Sequence, residues 1–263
     1  MIQITDLTDP RVADYTHVGD PGWLAARGLF VAEGRLVVRR LFQSNSFTIQ
    51  SVLVTSQARA ALDDAVDASR CPIFVCPPLL LNELAGFNFH RGCLALARRP
   101  PLVDSPDPFV ESRRLLALEG IGNPDNVGGL FRVAAAFDSE AVLLDRTSGD
   151  PLYRKAIRTS MGAIFRVPFA KIDRWLAAIE TFRGRGADVI AMTPDRSAIP
   201  LVDYAKDLPR NRQVVIMLGA EGPGLSADAR SLATAAVRIP ISSSVDSLNV
   251  VVAAGIALAA LPR

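Results

Sequence analysis

Residues 217–226 read Met-Leu-Gly-Ala-Glu-Gly-Pro-Gly-Leu-Ser and continue the apolar run 214–218. Glycines at positions 219, 222 and 224 permit positive φ angles and let a ligand approach the backbone closely. Glu221 stands in the middle of this loop, where its negative charge would repel a bound phosphate. The loop therefore predicts a backbone-lined site for a neutral or cationic ligand, with a purely structural glycine turn as the alternative.

The segments around this loop alternate between strands and helices. Short apolar runs predict strands at 115–118, 141–144, 188–192, 214–218 and 237–241. Apolar periodicity and length predict helices at 128–137, 175–182 and 250–261. This alternation is typical of an α/β domain with a mostly parallel sheet.

Two further polar loops lead into predicted helices. In the first, residues 123–132, Asn126 is a candidate helix cap and Arg132 lies within the helix that follows. In the second, residues 239–250, either Ser247 or Asn249 is a candidate cap for the last helix. Capping alone would explain these side chains, so the residues by themselves leave the choice between structure and chemistry open.

A proline-rich stretch at residues 101–112 separates two parts of the chain. Proline restricts its own backbone and that of the preceding residue, which favours an extended connector. The part before it predicts a helix at 35–42 and strands at 49–55, 73–76 and 92–97. We therefore expect a small α/β domain over residues 1–105 and a second domain over residues 113–263.

The composition argues against several classes of protein. The apolar run 250–261 is too short to span a bilayer, and residues 1–6 lack the features of a secretory signal. The three cysteines and two histidines lack the spacing of zinc ligands. We expect a cytoplasmic protein with buried thiols, no metal and no membrane contact. The net charge of +2 decides nothing about nucleic acid.

Taken in order, the loops at 123–132, 217–226 and 239–250 resemble the three motifs of the SpoU/TrmH family, in the SPOUT class of methyltransferases. The N-terminal part is similar to the ribosomal-protein-like substrate-binding domain of many members, through residues 9–12, 30–34 and His90-Arg91-Gly92. In the first motif Asn123 stands where acidic residues are usual. Asp138 replaces the glycine that usually ends the motif's helix, and aspartate tolerates a left-handed turn.

The resemblance implies a C-terminal α/β domain of the SPOUT type, whose parallel sheet carries a trefoil knot, a rare exception to ordinary chain topology. It also implies a homodimer, S-adenosyl-L-methionine as cofactor, and 2′-O-methylation of a ribose in structured RNA. The positions that match the cofactor site are Gly219, Ala220, Glu221, Gly222, Ile239, Ile241, Leu248 and Asn249. The positions that match the catalytic site are Asn126, Arg132, Glu221, Ser247 and Asn249.

Arg132 matches the residue to which the family assigns the general base, assisted by Asn126. A guanidinium stays protonated in nearly all protein settings. Two roles therefore remain open: Arg132 removes the hydroxyl proton, or it fixes the target phosphate and polarises the hydroxyl. Glu221, Ser247 and Asn249 are assigned to holding the loop, the ribose and the cofactor.

Substrate RNA is expected to contact Arg154, Lys155 and Arg158 in the second domain, with Arg91 and the Arg39-Arg40 pair in the first. Ribosomal RNA is preferred over transfer RNA, because the additional N-terminal domain is more typical of the family's ribosomal members.

Two rival interpretations remain. Residues 118–122 resemble a dinucleotide-binding fingerprint with Asp145 near the ribose position, but Asp125 occupies the place of its third glycine. A non-catalytic RNA-binding protein on the same fold is the other rival.

Overall fold

The computed structural model describes residues 1–86 and 91–261. Its strands are β1 (Ile2–Gln3), β2 (Leu29–Glu33), β3 (Ile49–Val54), β4 (Ile73–Val75), β5 (Cys93–Arg98), β6 (Arg114–Glu119), β7 (Ala141–Asp145), β8 (Phe169–Ile172), β9 (Asp188–Met192), β10 (Ile199–Pro200), β11 (Val214–Gly219) and β12 (Ala235–Arg238). Its α-helices are α1 (Pro21–Ala26), α2 (Arg35–Gln43), α3 (Ser56–Ala60), α4 (Pro78–Ala85), α5 (Pro124–Ala136), α6 (Arg154–Thr159), α7 (Trp175–Gly184), α8 (Leu201–Asp207), α9 (Ala227–Leu232) and α10 (Val250–Ala260). Short 3-10 helices cover Pro10–His17, Asp107–Phe109 and Ala163–Phe165.

Contacts divide the chain into two units. The first unit contains Met1–Pro101 together with Pro151–Arg166, and the second contains Leu102–Asp150 together with Val167–Arg263. The sequence segment 113–263 therefore includes sixteen residues, 151–166, that fold with the first unit.

The second unit is built on a parallel sheet, which confirms the predicted α/β class. Its strand order is β10-β12-β9-β11-β6-β7-β8, and every pairing is parallel. The strands β6, β7 and β11 are buried almost throughout, as expected for a sheet covered on both faces. Leu218 pairs with Leu118, so the loops that leave β6 and β11 start side by side at the carboxyl edge of the sheet.

The helix α5 begins earlier than the pattern predicted. Asn123 is its cap and accepts a hydrogen bond from the Asp125 N–H, while Pro124 occupies the first turn, where no amide hydrogen is needed. The prediction that Asn126 caps this helix is therefore wrong, since Asn126 lies inside the first turn. At the other end Asp138 adopts a φ of 55°, the left-handed turn expected of it.

The helix α10 packs against α5 and carries the predicted cap. The Asn249 side chain accepts a hydrogen bond from the Val251 N–H, which confirms one of the two candidate caps. The helices approach closely at Gly129, where a Cβ atom would lie 2.7 Å from a methyl carbon of Val251. This contact requires glycine in the middle of α5.

Two strands differ from the sequence prediction. Pattern analysis missed β8, a four-residue strand at the edge of the sheet in which only Ala170 and Ile172 are buried. The predicted strand 237–241 runs instead over Ala235–Arg238. Pro240 lacks the amide hydrogen that a sheet ladder needs, so pairing ends before it.

The first unit is a five-stranded mixed sheet in the order β1-β4-β3-β5-β2. Strand β5 pairs antiparallel with both β2 and β3, while β4 pairs parallel with β3 and β1. The 151–166 segment packs here, since the Phe165 ring lies 5.8 Å from Phe30 and 5.3 Å from Phe47 between centroids. The three cysteines are all buried with free thiols, as expected.

Within residues 1–86 and 91–261, no helix has the length and apolar character needed to cross a membrane. The same residues contain no cluster of three or more histidine, cysteine or acidic side chains able to hold a metal ion.

Candidate active site

A cavity of about 370 Å³ lies in the second unit, at the carboxyl ends of β9, β11 and β12. Ligands of open α/β sheets bind at this edge, where the loops leave the strands. The lining residues are Met192, Thr193, Pro194, Leu218, Gly219, Ala220, Glu221, Gly222, Gly224, Ile239, Ile241, Ser247, Leu248, Asn249, Val250 and Ala253. All eight positions that sequence reasoning matched to a cofactor site are among them, together with Ser247.

Sequence reasoning missed one side of this cavity. Met192, Thr193 and Pro194 follow strand β9 and line the cavity with the other loops. The available signal was the Thr-Pro pair directly after a predicted strand, at the sheet edge where ligands bind.

The loop after β11 folds back on itself, and its first glycine makes this possible. A Cβ atom at position 219 would lie 2.1 Å from the carbonyl carbon of Gly224 and from the nitrogen of Leu225. The Gly224 N–H donates to the Ala220 carbonyl at 2.9 Å and closes the turn. Gly222 and Gly224 have φ values of 88° and 71°, which glycine adopts without strain.

Ser226 anchors the far end of this loop. Its hydroxyl accepts a hydrogen bond from the Ala229 N–H and caps α9. Its own N–H and hydroxyl donate to the two carboxylate oxygens of Glu119, both at 2.8 Å. The loop after β11 is thereby tied to the end of β6.

Asn126, Glu221 and Asn249 form a hydrogen-bonded triangle that joins the three sequence motifs. Asn126 Nδ2 donates to Glu221 Oε1 at 2.8 Å. Asn249 Nδ2 lies 3.1 Å from Asn126 Oδ1 and 3.2 Å from Glu221 Oε1 and donates to both. Asn126 is only 7% exposed, so a buried amide holds the loops that carry Glu221 and Asn249.

Glu221 is the only charged side chain among the described residues that line the cavity. Phosphate sites in proteins recruit arginine, lysine or a helix N-terminus, and a carboxylate there would repel the anion. The cavity therefore suits a neutral or positively charged ligand, as its glycine loop predicted.

Asp145 organises the loop after β6. Its Oδ1 accepts hydrogen bonds from the Gly120 N–H at 3.0 Å and from the Ser148 N–H at 2.8 Å. Burial by itself raises the pKa of Asp145, but these bonds and those from the Ser148 and Thr147 hydroxyls outweigh burial and lower the pKa. With its carboxylate engaged in this way, Asp145 offers little support to the dinucleotide interpretation.

Arg132 stands apart from the cavity. It lies exposed on α5 and is not among the lining residues, and its side chain has no hydrogen bond or ion pair to the described part of the chain. Of the five positions matched to the catalytic site, the structure brings four together at the cavity: Asn126, Glu221, Ser247 and Asn249. The fifth, Arg132, lies apart from them.

The arginines and the lysine expected to contact RNA, including Arg39 and Arg40, all belong to the first unit. Arg91 and Arg154 each place Nε 3.8 Å from a carboxylate oxygen of Glu33, a residue that sequence reasoning did not single out as a binding residue. Arg158 is exposed on α6, and Lys155 is half-buried there. His90, part of the N-terminal signature, lies outside the described residues.

The fold and the site define an α/β protein with a parallel sheet and a ligand cavity at its carboxyl edge. Residues 113–259 match the model of the SpoU rRNA Methylase family. The chain is 34% identical over 258 residues to proteins of Mycobacterium tuberculosis and Mycobacterium bovis named as uncharacterized tRNA/rRNA methyltransferases, and the match spans 97% of this chain and 89% of each relative. The chain belongs to the SpoU rRNA methylase family, whose members are RNA methyltransferases, and the predicted family is confirmed.

Solved structures share the fold over nearly the whole chain. A protein of the TrmH family from Porphyromonas gingivalis has a TM-score of 0.83 at 23% identity and covers 98% of this chain and 99% of its own. An AdoMet-bound rRNA methyltransferase from Sinorhizobium meliloti has a TM-score of 0.82 at 22% identity and covers 98% and 96%.

Proposed function

We propose that this protein transfers a methyl group from S-adenosyl-L-methionine to a ribose 2′-hydroxyl of structured RNA, with ribosomal RNA as the preferred substrate. The observation that carries the proposal is the convergence of all eight matched cofactor positions on one cavity, with the Asn126–Glu221–Asn249 triangle built into its loops.

The cavity fits this cofactor in size and in chemistry. Its volume of about 370 Å³ lies within the usual range of small-molecule sites. Ile239, Ile241 and Leu248 offer apolar contacts for the adenine, and the backbone of residues 219–222 offers hydrogen-bonding groups. When bound, S-adenosylmethionine supplies a methyl group on a positively charged sulfur, and Glu221 is the acidic side chain at the cavity. Solved relatives of the same fold are described with AdoMet bound.

The residues of the chain contribute mainly by orientation. Alignment of the reacting atoms can supply much of a transfer rate, and the triangle holds three loops in one arrangement. Ser247 and Asn249 are assigned to the ribose and to the loop. The hydroxyl proton must still leave, and Arg132 is proposed either to accept it or to fix the target phosphate beside it.

The trefoil knot and the homodimer are part of the same proposal. A second copy is supported by the helix α10, which is apolar along its whole length but exposes Val252 by 49% and Ile256 by 38%. Covering them would remove this apolar surface from water. A partner copy could also complete the site around Arg132.

The direct test has two readouts on the purified full-length protein. Isothermal titration with S-adenosylmethionine measures binding, and transfer of labelled methyl from the cofactor to ribosomal or transfer RNA measures chemistry. Mapping 2′-O-methyl groups in RNA from a deletion strain then identifies the nucleotide. Absence of cofactor binding would contradict the proposal.

Arg132→Ala is expected to reduce methyl transfer about 10²- to 10⁴-fold while S-adenosylmethionine affinity stays within about twofold, because Arg132 lies outside the cavity lining. Arg132→Lys separates the two roles. If the residue removes the proton, the pH–rate profile shifts in the lysine variant; if it fixes phosphate, the rate is partly restored with the profile unchanged. A near-normal rate for Arg132→Ala would eliminate both roles.

Two alternatives share the fold. The mycobacterial relatives carry names that mention both tRNA and rRNA, so transfer RNA is the other possible substrate and the mapping experiment decides between them. A non-catalytic RNA-binding protein would bind RNA without S-adenosylmethionine, which the titration distinguishes.

A further inference from the structure

A second cavity, of about 380 Å³, lies within the first unit at the N-terminus of α2. It is lined by the first turn of that helix, residues 34–37, and by Glu33, Arg91, Arg158 and Met161. These residues come from three separate parts of the chain, and Arg158 and Met161 belong to the 151–166 segment that folds with this unit. Its lining combines positive, negative and apolar groups.

The positive groups suit a phosphate. The side chains of Arg35 and Arg158 are exposed and form no hydrogen bond or ion pair with residues 1–86 or 91–261. The cap of α2 is Gly34, which provides no side-chain acceptor for the first N–H groups of this nine-residue helix. A helix N-terminus flanked by free guanidinium groups attracts anions.

Glu33 shows that an anion alone does not explain the cavity. Its side chain is only 6% exposed, and its Oε2 accepts no hydrogen bond from the described residues. The nearest guanidinium atoms, Arg91 Nε and Arg154 Nε, lie 3.8 Å from its oxygens, beyond hydrogen-bond length. A buried carboxylate with unused acceptor capacity is costly. A ligand that also presents N–H donors would complete it.

The apolar part of the lining suits the face of a base. Leu36 is 41% exposed, and Met161 lies half-buried on the opposite segment. Met161 adopts a φ of 54°, rare for a residue other than glycine, and its carbonyl accepts a hydrogen bond from Arg40 Nη1 at 2.8 Å. Gly34 has a φ of 93°, and a Cβ atom there would lie 3.0 Å from Arg91 Cδ. The absence of a side chain at Gly34 therefore lets the Arg91 side chain pack closely against the backbone there.

We propose that this cavity binds one unpaired guanosine nucleotide of the substrate RNA. Its phosphate would lie at Arg35, Arg158 and the start of α2, and its Watson–Crick edge would face Glu33. Guanine presents N1–H and its amino group side by side, matching the two oxygens of a carboxylate, whereas each other base presents a single donor group on that edge. The proposal rests on the proposed function, because it assumes an RNA substrate.

The test uses the full-length protein and fluorescently labelled single-stranded RNA pentamers, UUGUU, UUAUU, UUCUU and UUUUU, with affinity measured by anisotropy. We expect UUGUU to bind at least about fivefold more tightly than the other three, as for a bidentate base contact. Equal affinities, or a preference for adenine or cytosine, would overturn the assignment.

Variants separate the two parts of the pocket. Glu33→Gln should abolish the preference for UUGUU without weakening UUUUU. Arg158→Ala should weaken all four pentamers by a similar factor and lower the salt dependence, as for a phosphate contact. Arg212→Ala is the control outside this pocket, because Asp188 holds its guanidinium, and it should change neither quantity. A preference that persists in Glu33→Gln would contradict the role of the carboxylate.

Glu33→Gln breaks a buried ion pair and can destabilise the unit, so circular dichroism must show that it is folded. If the variant is unfolded, the ratio of wild-type affinities for UUGUU and the other pentamers, together with the effect of Arg158→Ala, still tests the proposal. S-adenosylmethionine binding by the same samples is the separate readout of the proposed function. Normal cofactor binding without a guanine preference would overturn only this inference. A guanine preference without cofactor binding would contradict the proposed methyl transfer and leave an RNA-binding pocket.

Discussion

In the loop after β11, the neighbouring backbone determines which side chain a single position can carry. Gly219 has no space for a side chain, because the chain returns against it at Gly224 and Leu225. Gly122, in the neighbouring loop, has nothing within 4 Å of the position a Cβ would take. The two glycines look equivalent in sequence but not in the structure.

Gly219→Ala is therefore expected to displace the loop and weaken S-adenosylmethionine binding about five- to hundredfold, the cost of about 1–3 kcal/mol that overpacking brings. Gly122→Ala is the matched control and should leave the affinity unchanged. Titration calorimetry of both variants makes the comparison. Equal affinities for the two would mean that the loop adapts and that Gly219 is not required for its shape.

The triangle at Asn126 allows a prediction with a definite pH dependence. Asn126→Asp would place a second carboxyl beside Glu221, and like charges at this distance raise the pKa of one of the pair. Below that raised pKa the protonated carboxyl can donate a hydrogen bond, as the amide of Asn126 does. This stabilising hydrogen bond is lost as the pH rises through the raised pKa. Cofactor affinity should therefore be low at neutral pH and recover in mild acid. Asn126→Ala, the control, should lose affinity equally at all pH values; a parallel profile for Asn126→Asp would contradict the argument.

The packing of α5 against α10 gives two glycines opposite effects on stability when each is replaced by alanine. Gly129 of α5 meets Val251, with 2.7 Å to a methyl carbon from the position of a Cβ, whereas Gly255 of α10 leaves 3.7 Å to Val133. Alanine is favoured over glycine in a helix by about 1 kcal/mol where space permits. Space permits it only at position 255.

We expect Gly255→Ala to raise the free energy of unfolding by up to about 1 kcal/mol and Gly129→Ala to lower it by about 1–3 kcal/mol. Val251→Ala in the Gly129→Ala background should recover part of the loss, because it removes the clashing methyl groups. Chemical denaturation followed by Trp175 fluorescence, with Trp23→Phe in the background, reports on the second unit. An additive double mutant would show that the two residues do not interact.

The stability of the second unit should depend on pH through Asp145. Its hydrogen bonds to the Gly120 and Ser148 N–H groups and to two hydroxyls lower its pKa, so it contributes stability above its unfolded-state pKa that is lost as the pH falls through its folded-state pKa. Asp145→Asn should reduce the free energy of unfolding at neutral pH by about 1–3 kcal/mol and flatten its decline in acid. The exposed Asp207→Asn is the control. Denaturation at a series of pH values measures both, and an unchanged acid decline in Asp145→Asn would assign it to other groups.

At the scale of the whole molecule, the linear sequence and the folded units do not coincide. The family match runs without interruption over residues 113–259, yet residues 151–166 fold with the first unit. The Arg154, Lys155 and Arg158 cluster was placed in the second domain by sequence order. In the structure these residues belong to the first unit, where Arg154 pairs with Glu33 and Arg158 lines the same cavity as Glu33 and Arg91.

The sequence by itself determined the parallel α/β class, the glycine loop and its preference for a ligand without phosphate, the Asn249 cap and the left-handed turn at Asp138. These features depend on periodicity and backbone conformation, which neighbouring residues encode. Only the tertiary structure decided that Asn126 contacts Glu221, 95 residues away, instead of capping its own helix. It also decided that Met192–Pro194 completes the cavity, that Arg132 lies outside it, and that Glu33 lies among arginines. Such contacts arise from packing between segments that are distant in the sequence, and local sequence patterns do not predict which segments come into contact.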